Sequence, residues 1–288
     1  MILNEEDISG QGGCIVGDKF YQAYLLDQTA GTVRLVEYDL ATGDVLRTSD
    51  PYYYDKENEV QNYPVLWHAN AMTYNPDLNC LVVCPCATVH YNEIYLVSLN
   101  EETFFEVTMV SLKDKTWCTD KAGAGNIHYN ANKKQYAITR NSTAYIDILD
   151  ENFDSVAKYR TETAAPKGVT TGTQGQEIYC DDNFIYCIFY DSANKTKENT
   201  TVTQVHAITV FDWDGNRVKE IQFSLHPDDV PDCRARMTKN PYATVLKNEP
   251  ESIDFIDGKF YIAFNCQDGV NGDNGYEGQL LCTLEISN

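Results

Sequence analysis

Apolar residues along this chain come in short runs broken by polar turns, and no stretch keeps an i, i+3, i+4, i+7 apolar spacing beyond a couple of turns, so the pattern predicts strands and very little helix. The runs also repeat. Five segments align without gaps: Gln11-Gly-Gly-Cys-Ile15, His68-Ala-Asn-Ala-Met72, Gly123-Ala-Gly-Asn-Ile127, Gln174-Gly-Gln-Glu-Ile178 and Glu249-Pro-Glu-Ser-Ile253. Their starts lie 57, 55, 51 and 75 residues apart, three near-equal periods and one lengthened by an insertion. The second position is small or compact in every copy (Gly12, Ala69, Ala124, Gly175, Pro250) and the fifth is always apolar (Ile15, Met72, Ile127, Ile178, Ile253). Small residues where strands crowd an axis, each followed by an apolar anchor between neighbouring sheets, fit the radial packing of propeller blades.

Each copy continues through a polar turn into a second apolar strand: Phe20 to Leu25, Cys80 to Val83, Gln135 to Thr139, Phe184 to Phe189 and Phe260 to Phe264. The turns use Gly, Asn, Asp and Pro, residues that tolerate turn dihedrals. Third and fourth strands follow in four units: Val33 to Tyr38 with Asp44 to Arg47, Ile94 to Ser98 with Phe104 to Val110, Ala144 to Leu149 with Ser155 to Tyr159, and Val205 to Phe211 with Arg217 to Phe223. The fifth unit supplies Leu280 to Ile286 as its third strand and then ends, so its outer strand is expected from Met1-Ile-Leu at the N-terminus, which removes the last open sheet edge. The expected fold is therefore all-β: a five-bladed propeller of four-stranded antiparallel blades, in one domain over 1–288, with blade cores at 11–50, 68–112, 123–161, 174–225 and 249–288 together with 1–4. Segments 191–201 and 226–247 interrupt the pattern, and the second carries the basic residues Arg234, Arg236 and Lys239.

Composition narrows the function classes. With 43% hydrophobic residues the chain can bury a large core, and 20 Tyr and 11 Phe lean it towards β structure. Lys and Arg total 22 against 43 Asp and Glu, a net charge of -21, which argues against a nucleic-acid partner because phosphate affinity rests on basic side chains. The N-terminus has no basic region followed by an apolar stretch, and no run approaches the length of a membrane span, so synthesis in the cytoplasm without a signal peptide and no membrane insertion are expected. Most of the ten Cys sit inside apolar runs, as buried small hydrophobes do. Cys84-Pro-Cys86 lacks a second Cys/His pair at ligand spacing, and neither a metal nor another cofactor is expected.

Propeller geometry gathers the starts of the inner strands on one face. The candidate ligand-binding residues are accordingly Gln11, His68, Asn70, Gln174, Gln176, Glu249 and Glu251, with glycines at 13, 123 and 125 leaving room. Amides, an imidazole and carboxylates suit hydrogen bonding to the hydroxyls of a glycan. The same side chains suit a second role, tying blades together through backbone groups. Tyr52, Tyr53, Tyr54, Tyr63 and Trp67, in the connection into blade two, offer stacking area or simply pack that loop. A glycoside hydrolase needs two carboxylates facing each other across the scissile bond. Blades one to three offer no acid at the ring positions, leaving Glu177, Glu249 and Glu251, with His68 and a carboxylate as an acid/base alternative and His128 at position six a weaker one.

Gln11-Gly-Gly, His68-Ala-Asn-Ala-Met-Thr-Tyr-Asn75 and Glu249-Pro-Glu-Ser-Ile253 resemble inner-strand motifs of five-bladed propellers of the teichoic-acid biosynthesis protein C type, the related phage receptor-binding proteins and helveticin-type bacteriocins. The resemblance spans the chain as blade order, while the specific motifs cover some 20 residues. It implies attachment to a cell-wall or capsular glycopolymer, in phages by a virion component made without a signal peptide. Ala71 stands where relatives are expected to carry an acid, which weakens any transfer of catalysis or metal binding. Two other classes stay open: a glycoside hydrolase or lyase on the same face, and a protein-interaction scaffold.

Overall fold

Strand, tight polar turn and strand recur through the chain, and each blade grows from that hairpin outwards. The computed structural model describes residues 2–4, 8–27, 30–55, 60–62, 66–85, 90, 92–118, 123–140, 145–160, 177–190, 204–225, 247–267 and 278–285. Blade 1 is β2 (Ser9–Val16), β3 (Lys19–Asp27), β4 (Thr32–Asp39) and β5 (Val45–Thr48). A hairpin of β6 (Tyr53–Asp55) and β7 (Val60–Asn62) follows. Blade 2 is β8 (Ala71–Asn75), β9 (Cys80–Cys84), β10 (Glu93–Ser98) and β11 (Val107–Ser111), and blade 3 is β12 (Ala124–Asn130), β13 (Gln135–Arg140), β14 (Tyr145–Asp150) and β15 (Ser155–Arg160). Blade 4 comprises β16 (Glu177–Cys180), β17 (Phe184–Phe189), β18 (His206–Asp212) and β19 (Arg217–Phe223). Blade 5 takes β20 (Lys247–Ile256), β21 (Lys259–Gln267) and β22 (Gly278–Glu285) from the C-terminal end and β1 (Ile2–Asn4) from the N-terminal end, in the order β1-β22-β21-β20.

The expected closure is present: β1 pairs antiparallel with β22, placing Ile2 opposite Leu280 and Asn4 opposite Gln279. The inner strands touch in ring order β2, β8, β12, β16, β20 and back to β2. Apolar clusters fill the spaces between blades. Leu3, Ile15, Phe20, Tyr24, Ala263 and Leu281 share the cluster that joins the first blade to the last. The crowding predicted at the motif's second position is real at Gly12, whose N–H donates to Ala69 O at 3.0 Å and where an added Cβ would lie 2.6 Å from Ala71 Cα.

The turn between third and fourth strands shows a chemistry that repeats around the ring. Asp39, Asp150 and Asp212 each close the third strand of their blade and accept backbone N–H bonds at Oδ1, from Ala41 and Thr42, from Asn152 and Asp154, and from Asp214 and Asn216. The left-handed residue of the turn is Gly43 (φ 80°) in blade 1 and Gly215 (φ 81°) in blade 4, but Phe105 (φ 65°) in blade 2 and Phe153 (φ 61°) in blade 3. A Phe in that conformation carries a steric cost. Here it is offset by burial of both rings and by use of both carbonyls: Phe105 O accepts Tyr52 Oη–H at 2.7 Å and Phe153 O accepts Trp117 Nε1–H at 2.7 Å. Blade 2 departs from expectation at the same place, since Glu101–Thr103 forms a 3-10 turn and the fourth strand starts at Val107 rather than Phe104. The left-handed Phe105 ends that turn.

Candidate functional site

The inner strands do not keep the even alternation that places motif positions one and three on one side. Their pairing shifts between Gly10 and Gly13 in β2, between Ala124 and Asn126 in β12, and between Pro250 and Ser252 in β20. Each shift is a bulge with one extra residue on the inner strand, and a bulge re-aims the side chains on either side of it. The candidate ring residues of blades 1 and 5 therefore part ways. Gln11 (3% exposed) donates from Nε2 to Ser9 Oγ at 2.7 Å, and its backbone carbonyl accepts Gln22 Nε2–H, while its Oε1 is buried without a partner. Glu251 (5% exposed) accepts Asn265 Nδ2–H at 2.8 Å. Asn265 also donates to Gly10 O at 2.7 Å and accepts the Gly10 N–H at 2.9 Å, so one side chain of β21 seams the first blade to the last.

His68, Asn70 and Glu249 remain half-exposed. Asn70 lies between blades, donating from Nδ2 to Gly125 O at 3.2 Å and Asn126 Oδ1 at 3.0 Å. Burial lowers the pKa of His68, opposed by a hydrogen bond to Asn70, so the imidazole is neutral near pH 7 and able both to donate and to accept. The resolved partner of His68 is this amide and not the carboxylate of an acid/base pair. Gln174 and Gln176 lie outside the described residues, as do Tyr63, Cys86, Arg234, Arg236 and Lys239. Of the aromatic residues in the blade 1 to blade 2 connection, Tyr52 is core and Tyr53 is exposed. Trp67 stacks on His90 at 3.7 Å, and His90 Nδ1 meets Glu93 Oε2 at 2.9 Å.

A second polar group, of which the sequence pointed to His128 and Glu177 but not to Thr73 or Asp254, lies further along the inner strands. Position six of the inner strand reaches the next blade: Thr73 Oγ1 accepts Tyr129 N–H at 3.0 Å, His128 Nδ1 accepts Cys180 N–H at 3.2 Å, and Asp254 Oδ2 accepts Ile15 N–H at 2.8 Å. Because His128 Nδ1 is an acceptor, its proton sits on Nε2, which faces Asp254 Oδ1 at 3.8 Å. β12 and β20 are not ring neighbours, so this approach crosses the axis past β16, whose first residue is Glu177. Glu177 is 4% exposed; its Oε2 takes the Ile178 N–H at 3.4 Å and its Oε1 has no partner. Burial, and then the charge of Asp254, push the Glu177 carboxyl well above its ordinary value. Burial also raises Asp254, against the lowering effect of His128. Among the described residues no group of three or more His, Cys, Asp or Glu is arranged to hold a metal ion.

Set against known proteins, this geometry has structural likenesses alone. The tail fibre of Staphylococcus aureus phage P68 superposes with a TM-score of 0.56 at 10% identity, over 98% of this chain and 51% of the fibre chain. Myxococcus xanthus glutaminyl cyclase gives 0.50 at 12% identity, over 99% of this chain and 97% of the cyclase. Kuenenia stuttgartiensis hydrazine synthase gives 0.40 at 10% identity, and this chain spans 53% of its length. The likeness is one of fold. No protein-family model matches the sequence, and no curated protein matches it significantly. No helix among the described residues is long and apolar enough to cross a membrane.

Away from the ring, a groove of about 630 Å³ runs between the end of β19 in blade 4 and strands β21 and β22 of blade 5, lined by Phe223, Leu225, Phe264, Leu281 and Leu284 among others. Its lining mixes these apolar side chains with Ser224 and Thr283 and carries none of the candidate residues. Four buried thiols, Cys14, Cys80, Cys180 and Cys187, form no disulfide. Burial pushes all four above the ordinary thiol range, Cys80 to about 11 and Cys187 to about 12, which leaves them unreactive at neutral pH.

Proposed function

We propose that this protein binds an extended surface glycan, a cell-wall or capsular polysaccharide, at the face where its inner strands begin, as a receptor-binding component of a phage tail or comparable virion structure. The observation that carries the reading is the ring itself: His68, Asn70 and Glu249 stay half-exposed at the starts of the inner strands. A sugar hydroxyl donates and accepts at once, and a neutral imidazole and amides answer both roles. The whole-chain likeness to the P68 tail fibre supports the virion setting, as does the resemblance of the inner-strand motifs to receptor-binding propellers. One domain over 1–288 belongs to this proposal too.

A glycan array followed by titration of the best polysaccharide tests it. The wild-type chain is expected to bind, and replacing His68 and Glu249 together by Ala and Gln is expected to weaken binding about tenfold, the worth of one or two hydrogen bonds, with an unchanged melting curve. Binding that survives this double substitution moves the site off the ring. Turnover of the polysaccharide replaces the binding reading with a hydrolase or lyase, and capture of a protein partner without glycan dependence replaces it with a scaffold.

A further inference from the structure

Beside the ring residue His68, one aromatic side chain is held on a backbone conformation that works against it. Ala69 N–H donates to Leu66 O at 3.0 Å, closing a tight turn in which Trp67 takes φ 55°. Bulky residues rarely adopt this left-handed conformation, and the strain persists only where the surroundings over-determine it. They do so here. His68 N–H donates to Pro85 O at 3.1 Å and Gly12 N–H to Ala69 O at 3.0 Å, which pins the turn to blades 1 and 2. The indole stacks on His90 with ring centroids 3.7 Å and planes 17° apart, and its N–H is hydrogen-bonded to the Tyr95 hydroxyl. That hydroxyl donates to Glu93 Oε2 at 2.6 Å, and the same oxygen meets His90 Nδ1 at 2.9 Å, so the four side chains close a cycle.

The left-handed Phe105 and Phe153 are core residues, 8% and 5% exposed. Trp67 touches the core between blades 1 and 2 yet keeps exposed surface, as does His90, whose side chain is 20% exposed. The indole N–H, the phenol and one carboxylate oxygen serve one another, so what the stack offers to solvent is chiefly ring surface. Next to it, His68 and Asn70 supply donors and acceptors at the start of the same inner strand. A pyranose asks for that combination, an apolar C–H face to stack and a rim of hydroxyls to bond. A tryptophan already fixed in place loses little rotamer freedom when a ring settles on it.

We propose that the Trp67–His90 stack is a sugar-ring subsite beside His68 and Asn70, and that the glycan it takes is a neutral polymer of pyranose rings. This rests on the reading of the ring face as a glycan site and adds which glycans it selects. An open-chain polyol-phosphate polymer has no ring face to stack, and its phosphates meet a protein of net charge -21.

Titration of the full chain with cellopentaose, chitopentaose, mannopentaose and a glycerol-phosphate pentamer, read by calorimetry and tryptophan fluorescence, tests this. Trp117 is buried and donates to Phe153 O, and Trp213 lies between β18 and β19 and donates to Asp181 O at 2.9 Å. A Trp213→Phe chain therefore leaves Trp67 beside one buried indole. In that chain one or more of the neutral pentaoses is expected to bind, shift the emission to shorter wavelength and reduce quenching by acrylamide. The phosphate pentamer is expected to bind about tenfold more weakly or not at all. Trp67→Ala is expected to weaken the pentaose about tenfold, and Trp67→Phe, which keeps a ring, about threefold. A pentaose that binds by calorimetry without moving the emission or the quenching overturns the subsite and leaves the glycan reading standing, and so does a folded Trp67→Ala protein of unchanged affinity. Equal or tighter binding of the phosphate pentamer overturns the selection for neutral rings. If none of the four binds, the proposal falls, while the glycan reading stands or falls with the array. If Trp67→Ala does not fold, the emission and quenching of the Trp213→Phe chain decide, since they leave Trp67 in place.

Discussion

Closure of the ring by β1 rests on a strand of only three residues, and its strength can be worked out from one side chain. Leu3 is 7% exposed and packs in the cluster that contains Ile15, Phe20, Tyr24 and Leu281. Truncating a buried Leu to Ala costs about 2–5 kcal/mol, and a three-residue terminal strand that can settle inwards belongs near the lower half, about 3 kcal/mol. Unfolding entropy near the melting temperature is about 2.1 cal/mol/K per residue, roughly 0.6 kcal/mol/K for a chain of this size, so Leu3→Ala should lower the melting temperature by about 5 °C. Deleting residues 1–4 removes the same contacts together with the β1–β22 hydrogen bonds, at about 1 kcal/mol each, and should cost a few degrees more. It also uncovers the edge of β22, so the truncated protein should associate with rising concentration where Leu3→Ala does not. Differential scanning calorimetry with sedimentation at two concentrations reads both effects. If Leu3→Met and Leu3→Ala melt within about 1 °C of each other and of the truncated chain, β1 is not holding the ring and the reasoning fails.

Three other substitutions probe the inner ring. Glu177→Gln should make stability in urea less dependent on pH: the folded state raises this carboxyl, so its contribution is complete below the unfolded value near 4.5 and is lost as pH rises through the folded value. The wild type should therefore lose stability faster than the variant as pH rises above about 4.5, and parallel curves would count against a shifted Glu177. Gly12→Ala forces a methyl to within 2.6 Å of Ala71 Cα, backbone that cannot swing aside, and should cost about 1–3 kcal/mol by chemical denaturation; a neutral result would mean the two strands separate freely. Asn265→Ala removes its bonds to the Gly10 N–H, the Gly10 carbonyl and Glu251 at the junction of first and last blades, and should destabilise by about 2–4 kcal/mol, against less than about 1 kcal/mol if the junction is solvated.

Most strand positions were legible because each blade buries both faces of its inner hairpin. Phe184–Phe189 and Arg217–Phe223 fall where the apolar pattern puts them, and the other second and third strands differ from it by one to three residues at their ends. Legibility ends where tertiary contact overrides local pattern. The bulges in β2, β12 and β20 have no signature in apolar alternation, and they decide which ring side chains face the opening and which turn into a blade junction. His128 and Asp254 lie at one motif position, two repeats apart, so their approach across the axis follows from the five-fold ring and not from any local spacing. The Asp residues that close Tyr38-Asp39, Leu149-Asp150 and Phe211-Asp212 were a readable signal, an Asx turn repeated in three blades, that hydrophobic periodicity passes over.

The two polar layers of the inner strands answer different demands, and the difference bears on function. At position six, Thr73, His128 and Asp254 each satisfy a backbone N–H of another blade, a bond that rigidifies the ring whether or not a ligand exists. At positions one to three the ring divides. Gln11 and Glu251 are drawn into the junction that closes the first blade onto the last, while His68 and Glu249 keep exposed surface on either side of it. A binding face built this way is held from below by bonds that do not depend on the ligand, so little ordering entropy remains to be lost on binding. That favours weak, repeated contacts with a long polymer over enclosure of a small molecule, because the exposed donors and acceptors lie around a rim while most buried ones are already engaged, Gln11 Oε1, Gln22 Oε1, Glu177 Oε1 and Gln279 Oε1 being exceptions.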